Sequence, residues 1–131
     1  MKKATGQALR VAVRLAANGK ADEAIGVLEW RLKQLAEGDA IEDIVSLSLH
    51  ASVICEGDLN DDRRARRILR RALQHAPTDT RTLLSLARLY LKHGKFRVAR
   101  DLVNRRRETE TEKNNAGLQE LIEVMSKTLG E

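Results

Sequence analysis

Three histidines, one cysteine and a short acidic run are the residues of this chain whose types could do chemistry. His50, His75 and His93 stand far apart, and no two of them fall three or four residues from each other. A metal pair on a helix needs that spacing to bring two imidazoles onto one face, so each reads as a surface or edge residue. Cys55 is the single cysteine. A nucleophilic thiolate needs an electropositive, partly exposed setting; beside Ile54, near the end of an apolar helix, Cys55 reads as a packed thiol. Asp58-Leu59-Asn60-Asp61-Asp62 opens like a calcium loop. Such a loop needs glycine at its sixth position and a bidentate acid at its twelfth. Arg63 and Leu69 stand there, so helix capping is the better account of these acids. Glycine-rich phosphate loops are missing, and the expectation is a protein without catalytic residues, metal or cofactor.

The other chemically loaded feature is basic. Arg63, Arg64, Arg66, Arg67, Arg70 and Arg71 crowd one predicted helix, and the spacing of three and four places Arg63, Arg66, Arg67 and Arg70 along one strip. Arg97, Arg100, Arg105, Arg106 and Arg107 extend the basic character. Such charge suits phosphates or an acidic protein patch. The aromatics are Trp30, Tyr90 and Phe96 only, and none interleaves the arginines, so base stacking has no platform. A solvated outer face, partly paired with acids of neighbouring helices, is the default reading; an acidic protein and nucleic acid are the alternatives. Net charge is +5, unevenly spread: residues 58–107 hold 15 Arg or Lys against 5 Asp, and the remainder holds 9 against 14 acids.

Helices must position these groups. At 131 residues, 42% apolar and 33% charged, the composition is that of one folded domain, with Leu, Ile, Val and Ala building its core. Ala8, Val11, Ala12 and Leu15 share a face, and Asn18-Gly19 ends that helix. Ala24, Val27, Leu28, Leu32 and Leu35 mark a second helix, closed by Gly38. Asp39 and Glu42 have capping-box spacing before a third, with Ile41, Ile44, Val45, Leu49 and Val53 as its stripe up to Gly57. Asn60 or Asp61 caps the fourth, whose inner face is Ala65, Ile68, Leu69, Ala72 and Leu73. Pro77 ends it, and Thr78 or Asp79 caps the fifth, lined by Leu83, Leu86, Ala87 and Tyr90. Gly94 stops the fifth, Ala99, Leu102 and Val103 mark the sixth, and Leu118, Leu121, Ile122, Met125 and Leu129 mark a seventh. Arg10 and Arg14 interrupt the first apolar stretch, so it reads as an amphipathic helix rather than a signal peptide, and no window approaches the roughly 20 apolar residues of a membrane span. With a lone cysteine, a reducing, cytoplasmic setting is expected.

The helices pair, and the pairs are self-similar. A glycine precedes each second helix (Gly19, Gly57, Gly94) and an alanine follows inside it (Ala24, Ala65, Ala99). The last two alanines are 34 residues apart and the first two 41; 34 is the tetratricopeptide period. The stretch LLSLARLYLKHGKFRVA (83–99) resembles the tetratricopeptide repeat pattern, with Leu83 at the tryptophan position, Leu86 at the leucine, Ala87 at the small residue and Tyr90 at the tyrosine, then Gly94, Phe96 and Ala99. The second pair matches through Ala65, Leu69, Ala72 and Pro77, and the first through Ala12, Gly19, Ala24 and Leu28. The resemblance implies an all-α, right-handed helical-hairpin solenoid: one domain over 1–131, with pairs at about 5–37, 41–76 and 79–107 and a capping helix at about 114–129.

It also implies a protein-binding adaptor, since in that family the first helices of successive pairs line a concave groove. Carried over by position, the lining is Gly6, Leu9 and Val13, then Ile44, Leu47, Ala51 and Ile54, then Arg81, Leu84, Arg88 and Lys92. Such a groove is apolar for most of its length and basic at one end. It suits a peptide or helix with apolar anchors and an acidic end. Ile44, Leu47 and Ile54 read equally as core. Some family members grip a terminal carboxylate with Lys and Asn; Leu9 and Val13 occupy the first pair's positions here, a departure from that use. Trp30 sits one step off its helix's stripe and reads as an end-packing residue or an exposed anchor. The alternatives to a protein or peptide partner are nucleic acid and self-association, with a monomer or weak homodimer expected.

Overall fold

A computed structural model describes residues 1–35 and 40–107. These form six helices: α1 (Lys3–Ala17), α2 (Ala21–Gln34), α3 (Ile41–Gly57), α4 (Asp62–His75), α5 (Thr80–Lys92) and α6 (Phe96–Arg107). Helices α1 and α2, α3 and α4, and α5 and α6 pack as antiparallel hairpins. Gly38, Asp39 and the expected helix over 114–129 lie outside the described residues. The chain divides into two compact units, Met1–Ala76 and Pro77–Glu131, where the sequence suggests one domain. The boundary falls at Pro77, which cannot continue a helix.

The small residues do what the repeat pattern requires. Ala12, Ala24, Ala51, Ala65, Ala87 and Ala99 are fully buried, one on each helix. Paired within a hairpin, they let the two backbones approach. From Ala12 to Ala24 and from Ala87 to Ala99 the chain advances twelve residues; from Ala51 to Ala65 it advances fourteen. The turns account for the difference. Gly19 and Gly94 have φ of 78° and 75°. In both turns the next amide closes a Schellman motif, Lys20 N donating to the Leu15 carbonyl at 2.8 Å and Lys95 N to that of Tyr90 at 2.9 Å. In the middle hairpin Gly57 stays helical and Asn60 takes the left-handed role, with φ 50°. Leu59 N donates to the Ile54 carbonyl at 3.2 Å and Asp61 N to that of Cys55 at 2.8 Å. Asn60 stands five residues ahead of Ala65, as Gly19 stands ahead of Ala24 and Gly94 ahead of Ala99.

Two of the expected caps are in place. Asp61 accepts from Arg64 N at 3.1 Å, and Asp79 from Thr82 N at 2.9 Å. Helix α3 departs from expectation: its N-cap is Ala40, with no side-chain cap.

Helix α3 also presents a different face to the core. Ile41 and Val53, placed on its inner stripe from the sequence, are exposed, Val53 by 69%. Leu47, Ala51 and Ile54, placed in the groove lining, are buried, the first two completely. The reason is the company α3 keeps. It packs against α1 as well as α2 and α4, so the side turned toward the preceding first helix is covered. A helix wrapped by three neighbours carries no single stripe, so a single-stripe reading catches Ile44 and Val45, which are buried, and misses the rest of the covered arc. On α1, Val11 is likewise exposed rather than inner, while Thr5 is fully buried.

Candidate protein-interaction surfaces

Of the residues that could do chemistry, Cys55, His50 and Asp61 have partners or surroundings within the fold. Cys55 is fully buried. Burial pushes its thiol up to about 11, against the opposing pull of Arg64, so it stays protonated at neutral pH. The His50 ring nitrogen Nδ1 lies 2.8 Å from the Ser46 carbonyl, one turn back on its own helix. Among the described residues no three His, Cys, Asp or Glu side chains are placed to hold a metal ion. The acidic run that resembles a calcium loop is spent on the α3–α4 turn and the α4 cap. No helix among the described residues is long and apolar enough to cross a membrane.

The expected groove positions divide by unit. In the first unit, Gly6 and Leu9 on α1 are half-buried and Val13 is exposed, whereas Ile44, Leu47, Ala51 and Ile54 on α3 belong to the core. In the second unit, Arg81, Arg88 and Lys92 are exposed on α5 and Leu84 is half-buried. These four fall at spacings of three, four and four, one face of the helix. Arg81 is anchored at the helix start, its Nη2 3.0 Å from Asp79 Oδ1. Burial raises the Asp79 carboxyl, but the Thr82 hydroxyl and amide and Arg81 outweigh it, holding the group below the usual range.

On α4, Arg63, Arg67 and Arg70 are exposed and Arg66 is half-buried. The pairing foreseen with neighbouring acids is made by Arg64. Its Nη2 lies 3.2 Å from Glu29 Oε1 and its Nη1 3.9 Å from Asp22 Oδ1. This strut ties α4 to α2. Arg97 on α6 is exposed, and the side chains of Arg105, Arg106 and Arg107 lie outside the described residues. Trp30 is 63% exposed on α2.

One surface feature escapes the sequence reading. Between the second helices α2 and α4, over α3, the first unit has a cavity of about 250 Å³. Leu32, Leu35, Ile44, Ile68 and Ala72 form its apolar base with Ser48 among them, and Glu29, Lys33, Arg64, Arg67, Arg71 and His75 form its rim. The available signal was Arg64, Arg67 and Arg71 at i, i+3 and i+7, astride Ile68 and Ala72. Its meaning depends on α2, more than thirty residues earlier, which no local pattern reveals.

Residues 60–121 match a tetratricopeptide repeat family model, a stretch that takes in α4, α5 and α6. Together with the hairpins and their buried alanines, this match supports a fold of tetratricopeptide-like repeats, all-α among the described residues. No curated protein and no solved structure matches it.

Proposed function

We propose that this chain is a non-enzymatic adaptor of the cytoplasm that holds a peptide or helix of a partner protein. Repeats of this kind are interaction modules in general. The observation that carries the reading here is the outward face of α5, the first helix of the hairpin that best fits the repeat pattern. It offers Arg81, Arg88 and Lys92 around the half-buried Leu84. Arg88 and Lys92 beside an apolar contact, with Arg81 paired to Asp79 at the helix start, suit a segment with an acidic end. The exposed Val13 and half-buried Leu9 on α1 supply apolar contacts of the same kind in the first unit.

The test is peptide display on the immobilised chain, with the triple reversal R81E/R88E/K92E in parallel. Wild type should enrich a family of sequences carrying Asp or Glu. The reversal should weaken their binding by about tenfold or more, the loss of about 1.4 kcal/mol expected when charge-assisted contacts become repulsive. Failure to enrich any sequence over repeated rounds overturns the interaction reading. Enrichment of peptides indifferent to the reversal overturns the α5 face.

A further inference from the structure

The cavity over α3 has a composition that selects a ligand. Its base is aliphatic, and the base residues are covered unequally: Ala72 is 1% exposed, while Ile68 and Leu35 retain 8% and 9%. Leu32 is half-buried. Water in such a place has few partners, and an apolar side chain entering it would be driven by area removed from water. Ser48, on α3 between the two walls, is 2% exposed and is among the lining residues. It offers one polar contact at the bottom. The volume of about 250 Å³ is below the roughly 300–1,000 Å³ of sites that enclose a small molecule. It fits one or two side chains projecting from a longer segment.

The rim is one-sided in charge. Glu29 is its single acid, and Arg64 already occupies that carboxylate, with Nε at 3.3 Å and Nη2 at 3.2 Å from Oε1. That pair spans from α2 to α4 and fixes the separation of the walls at one end. Beyond it, Arg67 and Arg71 stand one turn apart on α4, and Lys33 faces them from α2. Both arginines are exposed, and neither has an acidic partner among the described residues. The mouth is therefore basic on both sides above an apolar base. None of the twelve lining residues is Phe, Tyr or Trp, and His75 is the one aromatic ring, so the site lacks the large aromatic platforms on which successive bases stack.

We propose that the α2–α3–α4 cavity is an anchor site for an acidic peptide segment of a partner protein. An aliphatic side chain of the segment enters over Ile44, Ile68 and Ala72, and flanking carboxylates meet Arg67 and Arg71. This deepens the interaction reading and depends on it, but it uses the outer surface of the second helices instead of the α5 face. Arg64 and Glu29 act as positioning residues: they hold the walls and leave the outer two arginines for the ligand.

The probe is a fluorescein-labelled helical peptide carrying Leu-Leu flanked by Glu one turn apart. Its Glu-to-Gln and Leu-to-Ala versions and an oligothymidylate run beside it. Fluorescence anisotropy gives affinity, and amide shifts of the ¹⁵N-labelled full chain give location. The Glu peptide should bind with shifts clustered on α2, α3 and α4. R67E/R71E should weaken it by about tenfold or more, whereas R10E/R14E, the same charge change on α1, should leave affinity within about twofold. Both pairs sit on solvent-exposed positions, and circular dichroism checks that each variant is folded. The Leu-to-Ala peptide should lose most of its affinity. Equal binding of the Glu and Gln peptides, equal weakening by the two double reversals, or oligothymidylate binding tighter and displacing the peptide would each overturn the proposal. If displayed peptides bind but ignore R67E/R71E, the cavity is wrong and the adaptor reading stands. If display enriches nothing, the adaptor reading itself fails.

Discussion

Among the described residues, Asp43 in the first unit and Asp79 in the second have carboxyls kept below the usual range, and the two do it by different means. Asp79 acts locally. It accepts from Thr82 N at 2.9 Å and Thr82 Oγ1 at 2.7 Å, three residues ahead on its own helix. Asp43 acts at a distance. From α3 it accepts from the Lys2 backbone amide at 3.0 Å, across 41 residues, and so caps the start of α1. Thr5, fully buried beside it, accepts in turn from Arg31 Nε of α2 at 3.2 Å. Burial pushes both carboxyls up; the Lys2 amide, the Thr5 hydroxyl and the Lys2 charge outweigh that push at Asp43. A cap within one helix stabilises that helix. A cap supplied by another helix also fixes how the helices pack.

The contrast predicts unequal losses. Asp43→Ala should cost about 1–3 kcal/mol, because it strands the fully buried Thr5 hydroxyl and removes the acceptor of the Lys2 amide. Denaturant unfolding followed by circular dichroism measures it. Asp43→Asn keeps an acceptor and should cost less. An Asp43→Ala loss below that of Asp79→Ala would break the comparison.

Losses of about 1 kcal/mol should come next. Asp79→Ala removes an N-cap, typically worth ~0.5–2 kcal/mol. Gly19→Ala and Gly94→Ala should each cost about 1 kcal/mol, since both glycines have positive φ. A Cβ at either meets nothing within 4 Å, so the whole cost is backbone and the two values should agree. A clear difference between them, measured on the same denaturant scale, would show that the two turns are less alike than their bonds suggest.

Acid should reveal the same pair of aspartates. Both folded values lie below the unfolded reference of about 3.9. Their stabilising contribution is therefore complete above that reference and is lost as pH falls through the lower folded values. Stability should drop below about pH 4. Asp43→Asn and Asp79→Asn should each make that drop shallower, and the doubly substituted chain shallower still. An acid limb unchanged by both would mean that other carboxylates control it.

How much of this was visible in the sequence follows the same local-versus-distant line. Asp61 and Asp79 were legible as caps because their partners lie three residues away. Ala65, Leu69, Leu86 and Ala99 were legible as core because their helices show one stripe. The placing of Arg81, Arg88 and Lys92 on one face of α5 came from the resemblance to the repeat pattern, and all three are exposed. Asp43 was invisible as a cap, for its partner lies on α1. The inner face of α3 was half legible: Ile44, Leu47 and Ile54 read equally as core and as groove lining, and the packing of three helices around α3, which decides between them, is not a local pattern. The cavity between α2 and α4 exists only after α3 brings both helices together.

The smallest expected effect concerns the turn that differs. Asn60 holds φ 50° where the other hairpins use glycine. Asn is the side chain that best tolerates this region, so little strain remains for glycine to relieve. Glycine also gains freedom in the unfolded chain, which offsets any relief. Asn60→Gly should therefore shift stability by no more than about 0.5 kcal/mol, whereas Asn60→Ala should cost about 1 kcal/mol. A larger loss in Asn60→Gly would mean that the Asn60 side chain itself holds the longer turn. The fourteen-residue step from Ala51 to Ala65 would then depend on that side chain, and not on backbone handedness alone.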